Sequence, residues 1–166
     1  MKALALPSLS RLKDVLSYDC NTGIFTWVIP PKGHPRLFGR AAGCISTGYS
    51  LIKIDNQKYK SHRLAWLYFY GEEPAGDIDH INGNRLDNSI SNLRIATNPQ
   101  NQANRSRNKN KSLPKGVRKI GYGMFQARIS FNRKQISLGA YKTVEDAEAA
   151  YFSASKKYYG NFARAS

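Results

Sequence analysis

The chain has 166 residues, a formal net charge of +15 at pH 7 and a sequence pI near 10.0. Its hydrophobic fraction of 41% and its 2 Trp, 10 Tyr and 7 Phe argue against a disordered chain and allow one ordinary domain or two small ones. The positive excess favours a polyanionic partner, because each Lys or Arg that contacts a phosphate releases condensed counterions. A generally basic, soluble surface is the alternative interpretation.

The positive charge is concentrated in the C-terminal part of the chain. Residues 1–102 carry 12 Lys and Arg against 8 Asp and Glu, whereas residues 103–166 carry 14 against 3. We therefore expect the C-terminal part to be the stronger electrostatic anchor.

Cysteine usage and the N-terminus indicate the compartment. Cys20 and Cys44 form no C-x-x-C pair, so neither a zinc ribbon nor a disulfide framework is suggested, and two buried thiols in a reducing cytosol are expected. The start MKALALPSLSRL has too short an apolar run for a signal peptide and is broken by Pro7. No segment approaches a membrane span. The sequence predicts a soluble, cytoplasmic protein without membrane contact.

The first 75 residues are predicted to form scaffold elements. The stretch 8–18, SLSRLKDVLSY, has the spacing of a short amphipathic helix capped by one of its serines. A strand-like segment follows at 23–29, and a hairpin over 49–63 leads into an apolar helix over 62–72.

The segment 77–105, DIDHINGNRLDNSISNLRIATNPQNQANR, reads as strand, polar loop, strand and helix. Asp79 offers a hard oxygen ligand and Asn101 a neutral one, so together they could bind one Mg²⁺-like ion. His80 points away from Asp79 across the strand and could take a proton from water, while the side chain of Asn92 could fix its tautomer. Taken singly, these residues are ordinary surface and turn residues, and their spacing gives the set its weight.

This segment resembles the HNH endonuclease motif of phage and intron homing enzymes, in the form D-H-x-N-G-x-x-x-D-N-x-x-x-N-L-R-x-x-T-x-x-x-N. The likeness is dense over the 23 residues from Asp79 to Asn101 and extends in weaker form over 8–105. It implies a ββα-metal core, with His80 as general base, Asn92 as the residue orienting its imidazole, and Asp79 and Asn101 as ligands of one divalent cation, Mg²⁺ or else Mn²⁺. The last position is His in many of these enzymes, so this chain is an H-N-N variant.

The pattern beyond residue 116 predicts three short strands and one helix that begins after Thr143. One sheet face is expected to be apolar and covered by the helix, and the other polar and basic, either as a groove reader or as a solvated face. The residues expected on the apolar face are Phe125, Ala127, Ile129, Phe131, Ile136, Leu138 and Ala140.

Residues 115–163 are similar to the Apetala-type (plant ethylene-response-factor) DNA-binding domain, through GVR, ARI, LG-x-Y-x-T-x-E-x-A and the closing YG-x-FA. The resemblance implies a three-stranded sheet lying in the major groove. It also implies that Lys115, Arg118, Tyr122 and Arg128 face DNA. Plant members often carry a second Arg where this chain has Ile120, so the plant recognition sequence is not expected to apply.

The expected architecture is α+β, with a nuclease domain containing an N-terminal β-rich part over 1–104, a basic linker over 105–115 and a DNA-binding domain over 116–166. The linker is interpreted as a strap along DNA phosphates, with a solvated tether as the alternative. Its basic residues assigned to DNA are Arg105, Arg107, Lys109 and Lys111.

The combined prediction is a metal-dependent endonuclease acting on double-stranded DNA in a phage-infected or bacterial cell. A non-catalytic, sequence-specific DNA-binding regulator is the rival interpretation, and an RNA nuclease is a third. The sequence is compatible with a monomer or a homodimer.

Overall fold

The computed structural model of the protein describes residues 5–105 and 112–164, which mix helices and small antiparallel sheets, in agreement with the α+β expectation. The chain forms two compact units, Met1–Ala96 and Thr97–Ser166. The predicted division at residues 104 and 115 stays a prediction. Across the described ranges, every helix is too short or too polar to span a lipid bilayer.

The first unit contains two α-helices and seven strands among its described residues. Helix α1 precedes a β1–β2 hairpin, a three-stranded sheet in the order β3-β4-β5, helix α2 and a β6–β7 pair. The bounds are α1 Leu9–Val15, β1 Leu16–Asp19, β2 Ile24–Trp27, β3 Cys44–Ser46, β4 Tyr49–Ile54, β5 Gln57–Lys60, α2 Ser61–Tyr70, β6 Asp77–His80 and β7 Leu93–Ala96.

Helix α1 is shorter than the sequence pattern predicted. Ser8 caps it by accepting from the backbone N–H of Arg11, but the helix ends at Val15 and the chain turns extended at Leu16. The predicted continuation to residue 18 was wrong, because Leu16 and Tyr18 pair with Trp27 and Phe25 across the β1–β2 hairpin. Apolar residues at alternate positions thus favour the strand over another helical turn.

The core of the first unit lies between the two helices and the strands. Leu12, Leu16, Ile52 and Leu64 are fully buried there, and Phe25 is 2% exposed. The predicted hairpin and apolar helix are confirmed as β4, β5 and α2, with Gly71 ending α2 in the left-handed conformation at φ 78°.

Strand β3 was not predicted, and the expectation of two buried thiols was wrong. All three residues of β3 are exposed, and Cys44 is among them, while Cys20 is half-buried. An edge strand without a buried face has no apolar alternation that a sequence pattern could reveal.

The second unit contains α3 Asn98–Asn104, β8 Val117–Lys119, β9 Phe125–Phe131, β10 Lys134–Tyr141 and α4 Val144–Tyr159. Thr97 and Gln100 form the predicted capping box of α3. The sheet has the order β10-β9-β8, and α4 packs on β9 and β10. Three short strands and one helix beginning after Thr143 are therefore confirmed.

One assignment within this sheet was wrong. Ala127 and Ile129 are buried as predicted, but Ala140 is exposed. The register shifts between Ser137 and Gly139, so Ala140 lies opposite Gln126 on the polar face. A β-bulge reverses the inward and outward alternation beyond it, and a strict two-residue period cannot anticipate this.

Candidate active site and nucleic-acid interface

The acidic residue of the motif is held by an arginine on the neighbouring strand. Asp79 on β6 lies directly opposite Arg94 on β7 in the antiparallel register. The Nε of Arg94 donates to Oδ2 of Asp79 at 2.9 Å, and its Nη2 lies 2.8 Å from the same oxygen. Both side chains are largely buried, so the pair fixes the carboxylate beside the next residue, His80.

The imidazole of His80 lies in a largely buried environment. His80 is 5% exposed, and its Nε2 lies 3.3 Å from Oδ1 of Asn88. Burial lowers the pKa of His80 below its ordinary value, although the hydrogen bond with Asn88 acts in the opposite direction. A lowered pKa keeps the ring neutral at pH 7, which is the state that can accept a proton.

The loop between β6 and β7 is held together by side-chain amides and a carboxylate. Both side-chain polar groups of Asn92 bind the backbone of this loop. Its Oδ1 accepts from the N–H of Asn82 at 2.9 Å, and its Nδ2 donates to the carbonyl oxygen of Asp87 at 2.8 Å. Hydrogen bonds from Ser89 are the main cause of the lowered pKa of Asp87. Asn92 therefore closes the loop that carries Asn88, and its direct action on His80 stays a prediction.

An aromatic and cationic cluster adjoins His80. The ring of His62, on α2, meets the ring of His80 edge to face at 5.1 Å, and the ring of Tyr49 lies 6.4 Å from His80. Lys60 Nζ and Arg85 Cζ lie 4.6 and 4.9 Å from the centre of the Tyr49 ring. The sequence pattern gave no sign of this cluster, because contacts between residues so distant in the chain depend on packing.

His62 is the more strongly perturbed of the two histidines. Its residue is 5% exposed, and burial, with a further contribution from His80, lowers its pKa to about 3. A neutral His62 therefore packs against His80 throughout the neutral pH range.

The donor set can be compared with what a divalent cation requires. The described residues contain no group of three or more His, Cys, Asp and Glu side chains able to hold a metal ion. A site with one carboxylate suits Mg²⁺, which keeps several waters and takes few protein ligands. The buried carboxylate of Asp79 fits such a role, and Asn101 lies in α3 of the second unit.

The polar face of the second unit's sheet carries a ladder of hydrogen bonds. Arg118 donates to Gln126 at 2.8 Å, and Gln126 donates to Ser137 at 3.1 Å, across all three strands. Arg128 donates to Gln135 at 3.2 Å on the same face. The ladder orders both guanidinium groups on the polar face of the sheet.

The remaining residues assigned to DNA differ in their exposure and in their contacts with the protein. Tyr122 is fully exposed in a turn, with φ 58°. The ammonium of Lys115 donates to three backbone carbonyl oxygens at the C-terminal end of α3, at 2.6, 2.7 and 3.2 Å. Burial lowers the pKa of Lys115 to about 8. Arg105 is exposed at the end of α3, whereas Arg107, Lys109 and Lys111 lie outside the described residues.

Comparison with known proteins supports the resemblance seen in the motif. Residues 59–103 match the family model described as HNH endonuclease. The chain is similar to an Acanthamoeba polyphaga mimivirus protein named as an uncharacterised HNH endonuclease, with 35% identity over 119 residues, covering 70% of this chain and 62% of the relative. It is also 42% identical over 55 residues to a Bacillus subtilis protein whose name reads "SPbeta prophage-derived putative HNH homing endonuclease", with 32% of each chain covered.

The chain spans less than two thirds of the length of each of these two relatives. The matched family segment contains Asp79, His80, Asn92 and Asn101. These similarities support a nuclease enzyme of the HNH class. The Apetala-type resemblance of the second unit stays a prediction.

Proposed function

We propose that this protein is an endonuclease that hydrolyses phosphodiester bonds in double-stranded DNA with the help of one divalent cation. The observation that carries the proposal is the buried imidazole of His80, whose pKa burial lowers, next in sequence to the arginine-bound carboxylate of Asp79, within the segment that matches HNH endonucleases. A base and a hard oxygen ligand on adjacent residues are what metal-assisted hydrolysis requires.

In the proposed reaction, His80 accepts a proton from the water that attacks phosphorus. A bond forms between the water oxygen and phosphorus, and the bond from phosphorus to the 3′ oxygen breaks. The leaving oxygen takes a proton from solvent, which gives 3′-hydroxyl and 5′-phosphate ends, as the motif resemblance implies. Arg94 keeps the carboxylate of Asp79 in place during this step.

Asp79 would hold the cation through its carboxylate, and Asn101 is proposed as a second ligand from its position in the motif alone. A bound divalent cation would supply Lewis acidity that stabilises charge on the phosphate and the leaving oxygen. Mg²⁺ is the proposed ion, since the donors are oxygens, and Mn²⁺ accepts the same ligands.

Two cationic surfaces are proposed to hold the DNA. Lys60 and Arg85 flank Tyr49 near His80, and neither forms a salt bridge within the described parts of the chain. They would bind backbone phosphates close to the scissile bond. The polar sheet face of the second unit, through Arg118 and Arg128, would contact bases and phosphates, and the basic linker would contribute phosphate contacts.

A cleavage assay on supercoiled plasmid DNA tests the proposal. Mg²⁺ or Mn²⁺ should convert the plasmid to nicked or linear form, EDTA should prevent it, and His80→Ala should lower the rate about 10²–10⁴-fold. Substitution of the exposed His34 by Ala is the matched control and should leave the rate unchanged. Equal cleavage by His80→Ala and the parent would contradict the role of His80. Cleavage of structured RNA but not of duplex DNA would contradict the substrate.

A further inference from the structure

We propose that Asn88 fixes the tautomer of His80, and that the β1–β2 hairpin holds Asn88 in place for this purpose. The inference rests on the proposed nuclease function, because it concerns the nitrogen that His80 offers to the attacking water. Asn88 is a positioning residue in this account, since it acts through the imidazole and does not itself contact DNA.

The hydrogen bonds of the Asn88 side chain determine which way its amide points. Nδ2 donates to the carbonyl oxygen of Leu86 at 3.2 Å, and a carbonyl can only accept. Oδ1 must therefore be the atom that faces His80, 3.3 Å from Nε2. An amide oxygen can only accept as well, so Nε2 carries the hydrogen, and in the neutral ring Nδ1 then carries the lone pair.

The backbone of Asn88 is bound by a half-buried tyrosine on β1. The hydroxyl of Tyr18 donates to the carbonyl oxygen of Asn88 at 2.7 Å. Burial raises the pKa of Tyr18 well above its ordinary value, so this donor keeps its proton at every working pH. The carbonyl oxygen of Cys20, the residue that follows β1, accepts from the backbone N–H of Ile90 at 3.0 Å. Two bonds thus tie the active-site loop to one hairpin.

The turn of that hairpin lies against the same backbone. Gly23 has φ 73°, and a Cβ added there would lie 2.3 Å from the carbonyl carbon of Asn88 and 2.3 Å from the N of Ser89. Only glycine permits this approach. The turn is itself ordered by Asp19, whose Oδ2 accepts from the hydroxyl of Thr22 at 2.8 Å. The loop backbone is therefore held from the hairpin side at the residue whose amide contacts His80.

The arrangement explains why an otherwise ordinary hairpin adjoins the site. Side-chain hydrogen bonds close the loop from within through Asn92, whereas the hairpin sets the position of Asn88 from outside. A neutral imidazole without a fixed partner exchanges its proton between both nitrogens, and only one tautomer presents its lone pair to the water. Fixing Nε2–H therefore selects the reactive form of His80 before DNA arrives.

The test measures the tautomer directly by long-range ¹H–¹⁵N NMR of the histidine side chains in the full-length protein, without metal or DNA. The parent should show His80 with the hydrogen on Nε2. Asn88→Ala should show a mixture of tautomers, and its kcat on plasmid DNA should fall about 10- to 100-fold with little change in KM. Asn88→Asp keeps an acceptor oxygen at this position and should retain the Nε2–H tautomer.

Two further variants make the outcome decisive. Tyr18→Phe removes one hydroxyl while keeping the ring contacts, so it should fold and show a smaller shift of the tautomer in the same direction. Asn92→Ala tests the other candidate for orienting His80. An unchanged tautomer in folded Asn88→Ala, or a shift found in Asn92→Ala and absent from Asn88→Ala, overturns the proposal. Because the NMR readout is independent of cleavage, an inactive parent would contradict the proposed function and leave the tautomer result valid.

Discussion

Arg94 and Asp79 face each other across the β6–β7 pair, and one carboxylate oxygen lies within 2.9 Å of both Nε and Nη2 of the guanidinium. Their side chains are 17% and 8% exposed, so the ion pair is largely withdrawn from water. Removing the guanidinium takes a charge partner away from a largely buried carboxylate, which costs more than breaking a pair at the surface.

Arg94→Ala should therefore destabilise the first unit by about 3–5 kcal/mol. Both tryptophans of the chain, Trp27 and Trp66, lie in this unit, so urea unfolding followed by tryptophan fluorescence measures the effect. Arg11→Ala is the matched control, since it breaks the exposed pair with Asp55 and should cost far less stability than Arg94→Ala. Equal losses in the two variants would show that burial of the Asp79 pair is unimportant.

The buried His62 should make the stability of the first unit depend on pH. Its pKa of about 3 lies below the ordinary value of 6.5, so only the unfolded state binds a proton between these limits. The stability that this difference contributes is present above pH 6.5 and is lost as pH falls towards 3, at about 1.4 kcal/mol per pH unit. Replacing His62 by Phe should reduce the slope measured between pH 6 and 5 by about that amount. A parent-like slope in His62→Phe would refute the assignment.

Local sequence patterns predicted the elements that depend on neighbouring residues. The capping box at Thr97 and the hairpin leading into α2 were predicted because their determinants lie within a few positions. The end of α1 and the bulge near Gly139 depend on strand pairing with distant residues, and both were missed.

In the candidate site, too, local features could be predicted from the sequence, whereas contacts between distant residues could not. The spacing of the motif pointed to Asp79 and His80, but the partner of each was not recognised from the sequence. The position of Arg94 opposite Asp79 can be recognised only from the strand register. The contact between Asn88 and His80 depends on how the loop folds. Lys115 matched a family position for DNA contact, yet its ammonium binds the carbonyl oxygens at the end of α3, a contact that a pattern of basic residues cannot distinguish.

The two cations on the Tyr49 ring should contribute to DNA affinity in a salt-dependent way. In a His80→Ala background, which permits binding without cleavage, Lys60→Gln and Arg85→Gln should each make the slope of log affinity against log salt less negative by about 0.9. Lys13→Gln in the same background is the matched control, because Nζ of Lys13 also lies over a tyrosine ring, 5.4 Å from the centre of the Tyr68 ring. Slopes equal to that of the His80→Ala parent in both variants would show that this pair does not contact phosphates.

The last prediction separates base reading from electrostatic anchoring in the second unit. Arg128 is fixed on the polar face of β9 by its bond to Gln135, and a guanidinium can pair bidentately with a guanine edge. Arg133 lies in the β9–β10 turn with φ 62° and is exposed, so it carries the same charge without a place on the sheet face. Replacing either arginine by Ala removes the same charge, so a difference between the two variants reports the position of the side chain.

Arg128→Ala should relax the sequence preference at one or two base pairs, with a loss of about 1–3 kcal/mol of discrimination at each. Arg133→Ala should weaken binding to all sequences by a similar factor, because a phosphate contact carries no base information. Selection from randomised duplexes, carried out with the parent and both variants at one salt concentration, measures the two effects together. If Arg128→Ala lowers affinity and keeps the parent's preference profile, then the sheet face is an electrostatic platform. In that case the base-reading role of β9 is wrong, and specificity has to arise from another part of the chain.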